Sequence, residues 1–557
     1  MPRVAAIALD AAEIDVLDDL IDRGELPALG ALRNRSARYR LRSDSLYRGT
    51  LVWEAFLAGR DDVGHSTGGG FAFDSDSYTC FEVGPLGTKP FYERVPGIVA
   101  ISLDVPHLAL SGSGVRVCGW GGHVLTSVRG SVPPGLLEEI EKQFGAHQAF
   151  RADHQYAWHR REYVESIGDS LAQGAQHRIE IAGWLRERFP DWDLMIVGMS
   201  EAHSAGENFG HTLDESHPLA STASAALAGR KLVDVYRALD DAVGRFTASL
   251  PRDTALVVFA LHGMTVNDAD LPSQVLLPEL LYRMQRGRAQ LRDLDQEAWI
   301  RAGCPPVVPK AAVTWKQHMD SRWIGSRPGR SRFRRFARRL VPRAILDARE
   351  RKSARGHRAT SEMGTDPELA DLDQQPTDGS VPSWYRSAWP SLRAFALPTF
   401  SEARVRINLR GREREGVVPL DDYDRVCSQV EGWVRASRDA RTGAAAVEDV
   451  LRTRDDPLAP GGPDADLIVR WAPGLDAILH PEVGMIGPYP FRRTGGHTPH
   501  GFAWLSGAGI QPGDQGERPV RDLPPTILAL LGQSAPRDVH GQPLSPDAPR
   551  PVPRSAG

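Results

Sequence analysis

Four separate stretches of this chain place carboxylates and imidazoles directly after apolar runs. Asp10 follows Val4-Ala-Ala-Ile-Ala-Leu9, and Glu201, His203, Glu207 and His211 follow Asp193-Leu-Met-Ile-Val-Gly-Met199. His262 follows Thr254-Ala-Leu-Val-Val-Phe-Ala-Leu261, and His497 sits in Gly495-Gly-His-Thr-Pro-His-Gly501. Carboxylate oxygen and imidazole nitrogen are the donors that Zn²⁺ or a similar divalent ion takes. In an open α/β sheet the loops beyond the carboxyl ends of the strands converge on one crevice. A metal-assisted hydrolase is therefore the first expectation.

Each residue also has a plainer reading. Asp10 is equally well placed to cap the helix that starts at Ala11, since Asp is a favoured cap. Thr50 opens the apolar run Thr50-Leu-Val-Trp-Glu-Ala-Phe-Leu-Ala-Gly59. It reads as another cap unless a metal lowers the pKa of its hydroxyl and makes it a nucleophile. His203 and Glu207 are four apart, so on a helix they share a face. His262 and His497 carry little weight singly; their common position after strands is what raises them. Trp120 and His123, in Cys118-Gly-Trp-Gly-Gly-His123, either reach the substrate or belong to a packing loop. There is no Walker A motif, no paired-glycine dinucleotide fingerprint after the first strand and no Gly-x-Ser-x-Gly elbow after a strand.

The elements that must hold these residues follow from periodicity. Val4–Leu9, Asp193–Met199 and Thr254–Leu261 read as buried strands; Ala12–Arg23, Asp169–Arg188 and Leu219–Ser249 read as helices. Such alternation predicts an α/β fold with a mostly parallel central sheet and helices on both faces. The pattern returns at Ala465–Trp471 and Gly501–Ser506. Between these parts the composition shifts. Residues 321–360 carry 13 Arg and one Lys against Asp347 and Glu350, a net of +12, and five acids follow within 361–376. This block reads as an inserted lid or subdomain. The expected division is a first core part at 1–280, an insertion at 281–395, a second core part at 396–545 and a disordered tail at 546–557.

Bulk properties narrow the class further. A chain of 557 residues exceeds one simple core. Hydrophobic residues at 41% and charged residues at 25% are ordinary for a globular protein. A net charge of −4 favours neither nucleic acid nor membrane as a partner. The four cysteines are scattered without a CxxC pair, which speaks against a disulfide framework or a Cys-type zinc site. No signal peptide and no transmembrane run of 18 apolar residues is read, so a cytoplasmic protein is expected.

These residues carry a resemblance. The chain resembles the alkaline phosphatase superfamily, in its type I phosphodiesterase/nucleotide pyrophosphatase branch. The likeness runs through Ala6-Ile-Ala-Leu-Asp-Ala-Ala-Glu13, Gly24–Leu29, Thr50–Gly59 with Gly64-His65, Glu201–His211, Leu261-His-Gly-Met264, Gly496–Gly501, Leu523–Leu531 and Asp538-Val-His-Gly541. It covers most of the chain outside roughly 280–395. It implies a three-layer sandwich and two neighbouring divalent metals, commonly zinc. It also implies hydrolysis of a small phosphorylated substrate, mono- or diester, through a Thr or Ser that is phosphorylated and then released. By that resemblance Asp10 falls at the first metal-binding acid and Thr50 at the nucleophile. His203 and Glu207 fall where the family has an Asp and a His, His262 at the His of its Asp-His-Gly motif, and His497 at the late His ligand. The departures are Leu261 in place of a ligand Asp, the exchanged types at His203 and Glu207, and Ala58 in place of a Thr. With Leu261 apolar, either Glu201 compensates, or one metal binds in place of two, or the fold is a pseudoenzyme that keeps the pocket to bind a ligand or partner.

Overall fold

The computed structural model describes residues 2–43, 50–60, 71–83, 89–123, 128–310, 313–325, 374–376, 380–399, 401–460 and 463–544. Most of the basic block, its acidic continuation and the Pro-rich end lie outside these residues, as do Gly64 and His65.

Among the described residues nine strands build one large sheet. Its spatial order is Gly513–Pro519, Ala37–Arg42, His500–Ser506, Thr254–Ala260, Arg3–Leu9, Leu194–Met199, Ala100–Leu103, Val115–Cys118 and Gly130–Val132. Only His500–Ser506 and Gly130–Val132 run against the others. The central strand Arg3–Leu9 pairs in parallel with Leu194–Met199 on one side and Thr254–Ala260 on the other.

The continuous apolar run of that strand has a direct cause. Side chains alternate across a strand. Ala5, Ile7 and Leu9 pack into a core with the helices Arg161–Arg188 and Ala225–Ser249. Val4, Ala6 and Ala8 pack into a second core with Thr50–Ala58 and Leu523–Leu530 on the opposite face. Both faces are covered, so neither can be polar. The result is the α/β three-layer sandwich, mostly parallel in the middle, that the alternation predicts.

The expected second core part divides differently. Leu467–Trp471 does not join the large sheet. It lies in a separate antiparallel sheet ordered Ala394–Leu397, Ala403–Ile407, Leu467–Trp471, Val447–Arg452. This sheet packs with Leu277–Arg286 and Tyr423–Ala436 around its own apolar cluster. Periodicity identifies a buried strand but not which sheet receives it. The chain leaves the main body after Gly263–Val266 and returns at Gly495–Thr498. These two strands pair antiparallel, with Met264 opposite His497. No helix among the described residues is long and apolar enough to cross a membrane.

Candidate metal centre

The strand Leu194–Met199 runs into the helix Glu201–Phe209 through Ser200, so His203 and Glu207 stand one turn apart on the same helix face. This helix lies unusually close to the ribbon that carries His497. A Cβ at Gly495 would sit 2.1 Å from the Gly206 carbonyl oxygen, and one at Gly206 would sit 2.6 Å from the Met264 sulfur. Only glycine at these positions permits that approach.

Around this contact the structure brings Asp10, His203, Glu207, His262 and His497 together with His123. The His203 Nδ1–H donates to Asp10 Oδ2 over 2.9 Å, and Asp10 Oδ1 accepts from the Trp53 indole N–H at 2.9 Å. His262 Nε2 lies 3.7 Å from Asp10 Oδ1. The His497 ring centre is 4.5 Å from that of His262 and 4.8 Å from that of His203. His123 stacks on His203 at 4.1 Å, with its Nε2 3.1 Å from Glu207 Oε2. Asp10, His123, His203, Glu207 and His262 are buried, and His497 is half-buried.

Burial alone would raise both carboxyls. At Asp10 the charges and hydrogen bonds of His203, His262 and Trp53 outweigh it and hold the group well below the usual carboxylate range. Arg493 and His123 do the same at Glu207. Burial pushes His262 down to about 4. It also drives His497 well down, helped by the neighbouring His262 and His203. Both rings are therefore neutral at physiological pH and free to offer a nitrogen lone pair. His123 is the exception. Burial opposes its charge, yet Glu207 and Asp153 outweigh burial and push it up to about 10.

The donor set suits one divalent ion. His123, His203 and Glu207 each offer an atom within 4.8 Å of the others. His497 adds a half-buried ring whose buried Nδ1 has no hydrogen-bond partner. Three imidazole nitrogens and one carboxylate are donors that a divalent ion takes. The pole at Asp10 and His262 is poorer. Both Asp10 oxygens already accept hydrogen bonds. Leu261, at 1% exposure, packs in the apolar cluster with Val52, Trp53 and Phe259. The backbone of Thr50 begins the helix Thr50–Ala58, and its side chain lies outside the described residues.

Three of the sequence-derived candidates go elsewhere. Glu201 is two residues from His203, about 200° round the helix. It accepts from Arg178 Nε at 2.9 Å and lies 3.3 Å from His147 Nε2. That buried pairing with Arg178, not the Leu261 pole, is its role in the fold. Trp120 belongs to the same cluster, with its indole N–H on the Gly145 carbonyl and the Arg178 guanidinium over its ring at 5.2 Å. His211 follows the helix in a short turn, 5.6 Å from the Trp158 ring, and burial pushes it down to about 3.

Other residues of the site carry no advance signal, because no apolar strand precedes them. Arg493 holds Asp270 through two hydrogen bonds of 2.6 and 2.7 Å and also donates to Glu207 Oε1. The Tyr156 hydroxyl donates to Glu207 Oε2 at 2.8 Å. Asp153 meets His123 Nδ1 at 3.0 Å and accepts from the Ser204 hydroxyl at 2.6 Å.

A mostly parallel sheet with helices on both faces, and a His/Asp/Glu group past its strand ends that could hold a metal ion, defines the class of this α/β protein. Residues 112–326 of this chain match the type I phosphodiesterase / nucleotide pyrophosphatase family, which bears out the resemblance read from the motifs. Solved structures with a similar course of the chain include phosphonoacetate hydrolase from Sinorhizobium meliloti 1021 bound to phosphonoformate, 11% identical, TM-score 0.42, covering 95% of both chains. The alkaline phosphatase PafA is 12% identical, TM-score 0.47, covering 98% of both chains. Murine ectonucleotide pyrophosphatase / phosphodiesterase 5 in complex with AMP is 10% identical, TM-score 0.40, covering 96% of both chains. No curated protein matches the chain.

Proposed function

We propose that the chain is a metal-dependent hydrolase of phosphate mono- or diesters, with Thr50 as nucleophile and a small phosphorylated molecule as substrate. The observation that supports this best is the gathering of His123, His203, Glu207 and His497, drawn from three distant parts of the sequence, beside Asp10 and His262. A divalent ion held there supplies charge neutralisation for a phosphoryl group and a lowered pKa for a coordinated hydroxyl. The protein's own part is to prepare the donors. Asp10 accepts the His203 Nδ1 proton and so turns Nε2 toward Glu207, 3.8 Å away. Arg493 offsets the charge of Glu207. Thr50 stands at a helix start, where backbone N–H groups favour an anion.

Elemental analysis of the purified chain, coupled to a panel of aryl phosphate mono- and diesters, tests the reading. The expected result is at least one tightly held divalent ion per chain and turnover that a chelator abolishes. A metal-free protein without turnover on the panel would favour the second reading, a pseudoenzyme. Two observations speak for that alternative: Leu261 is buried in an apolar cluster, and Glu207 is already occupied by Arg493, Tyr156 and His123.

A further inference from the structure

The outer side of His123 carries a second group of ligand-type atoms that the family motifs do not include. His123 Nδ1 lies 3.0 Å from Asp153 Oδ2, and His154 Nδ1 lies 2.9 Å from Asp153 Oδ1. The three residues each offer one donor atom within 4.8 Å of the others. The rings of His154, His123 and His203 form one stack, with centres 4.4 and 4.1 Å apart. His123 is thus shared: its Nε2 edge faces Glu207 and its Nδ1 edge faces Asp153.

The loop that presents Asp153 and His154 is held firmly. The Asp153 carbonyl accepts from the Tyr163 hydroxyl at 2.9 Å and from the Asn208 amide at 3.0 Å. The Ser204 hydroxyl, on the same helix as His203 and Glu207, fixes Asp153 Oδ2. His154 keeps 16% of its side chain exposed, which leaves a path for an ion to enter. Preorganised nitrogen and carboxylate donors about 3 Å apart suit a divalent ion with bonds of about 2.0–2.2 Å to each.

We propose that Asp153, His154 and the Nδ1 edge of His123 form a second divalent-cation site, His123 releasing both ring protons to solvent to bridge two ions as an imidazolate, so that any paired-metal arrangement in this chain is built across His123 and not at the Leu261 pole. The inference rests on the metal-dependent reading above. It accounts for a carboxylate missing at Leu261 by finding one, with a partner imidazole, on the other side of the first ion's donors.

Zinc titration of the full chain in a competing chelator buffer, read by native mass spectrometry, tests it without recourse to activity. Two Zn²⁺ ions are expected in the wild type and one in His154→Ala, with the second dissociation constant raised about tenfold or more in Asp153→Asn. His154 is partly exposed, so His154→Ala decides the question even if Asp153→Asn fails to fold. One ion in both wild type and His154→Ala would overturn the second site and leave the hydrolase reading standing. Two ions retained in both variants would place the second ion elsewhere and overturn the site as well. A wild type that binds no zinc would overturn both the site and the metal-dependent reading.

Discussion

At the scale of single residues, the centre depends on side chains that touch no substrate. Trp53 donates to Asp10, which in turn orients His203. Trp53→Phe keeps the ring and loses the donor, and it is expected to weaken metal affinity or activity about 10–100-fold. A metal titration showing wild-type affinity would assign Trp53 to packing alone. The buried histidines also set how stability varies with pH, in opposite directions. His211 has a folded pKa pushed down to about 3, so below its ordinary 6.5 the unfolded chain takes the proton first. Stability is present above that value and falls as the pH drops from 6.5 toward 3, by up to about 5 kcal/mol. His123 is pushed up to about 10, so in the metal-free chain its stabilisation is complete below 6.5 and is lost as the pH rises toward 10. Denaturant unfolding of metal-free His211→Phe and His123→Gln against pH separates the two. The first variant should flatten the acid limb and the second the alkaline limb.

At the scale of elements, the helix Glu201–Phe209 and the ribbon Gly263–Val266/Gly495–Thr498 act as one part. Gly495→Ala would drive a methyl into the Gly206 carbonyl and push the ribbon away. It should lower metal affinity although it removes no donor; calorimetric titration reads this directly, and unchanged affinity would show that the contact is loose. Thr50→Ala, at the start of another helix, is expected to abolish turnover while metal content stays near wild type. Near-normal turnover would exclude Thr50 as nucleophile. Much of this architecture was legible in the sequence. Asp10, His203, Glu207 and His262 could be picked out because each lies just past an apolar run that reads as a buried strand, and His497 because it sits in a Gly-rich stretch ahead of one. The spacing of His203 and Glu207 carried the right helix face. Asp153, Tyr156, Asp270 and Arg493 could not be found that way. They follow no apolar run, and only tertiary packing brings Tyr156 and Arg493 onto Glu207, Asp153 onto His123 and Asp270 onto Arg493. Glu201 misled for a related reason: a carboxylate after a strand looks the same whether it faces an ion or, as here, Arg178.

At the scale of the whole molecule, the chain combines a nearly neutral balance with one strongly basic block of net +12 at 321–360. Such a block concentrates anionic substrates near it, and salt screens the effect beyond about 10 Å at 0.1 M. Deleting it should raise KM for a phosphate ester at low ionic strength and little at high. A KM that ignores both deletion and salt would leave the block a solvated surface paired with the acids after it. The topology has a separate consequence for synthesis. The strand His500–Ser506 fills the gap between Ala37–Arg42 and Thr254–Ala260, and His497 precedes it by three residues. At 5–20 residues per second a ribosome needs roughly 12–50 s to pass from His262 to His497. Throughout that interval the nascent protein carries an open sheet edge and an unfinished donor set. A chain stalled before residue 497 cannot assemble the centre. Premature termination should therefore yield inert fragments prone to edge-to-edge association, and not partly active enzymes.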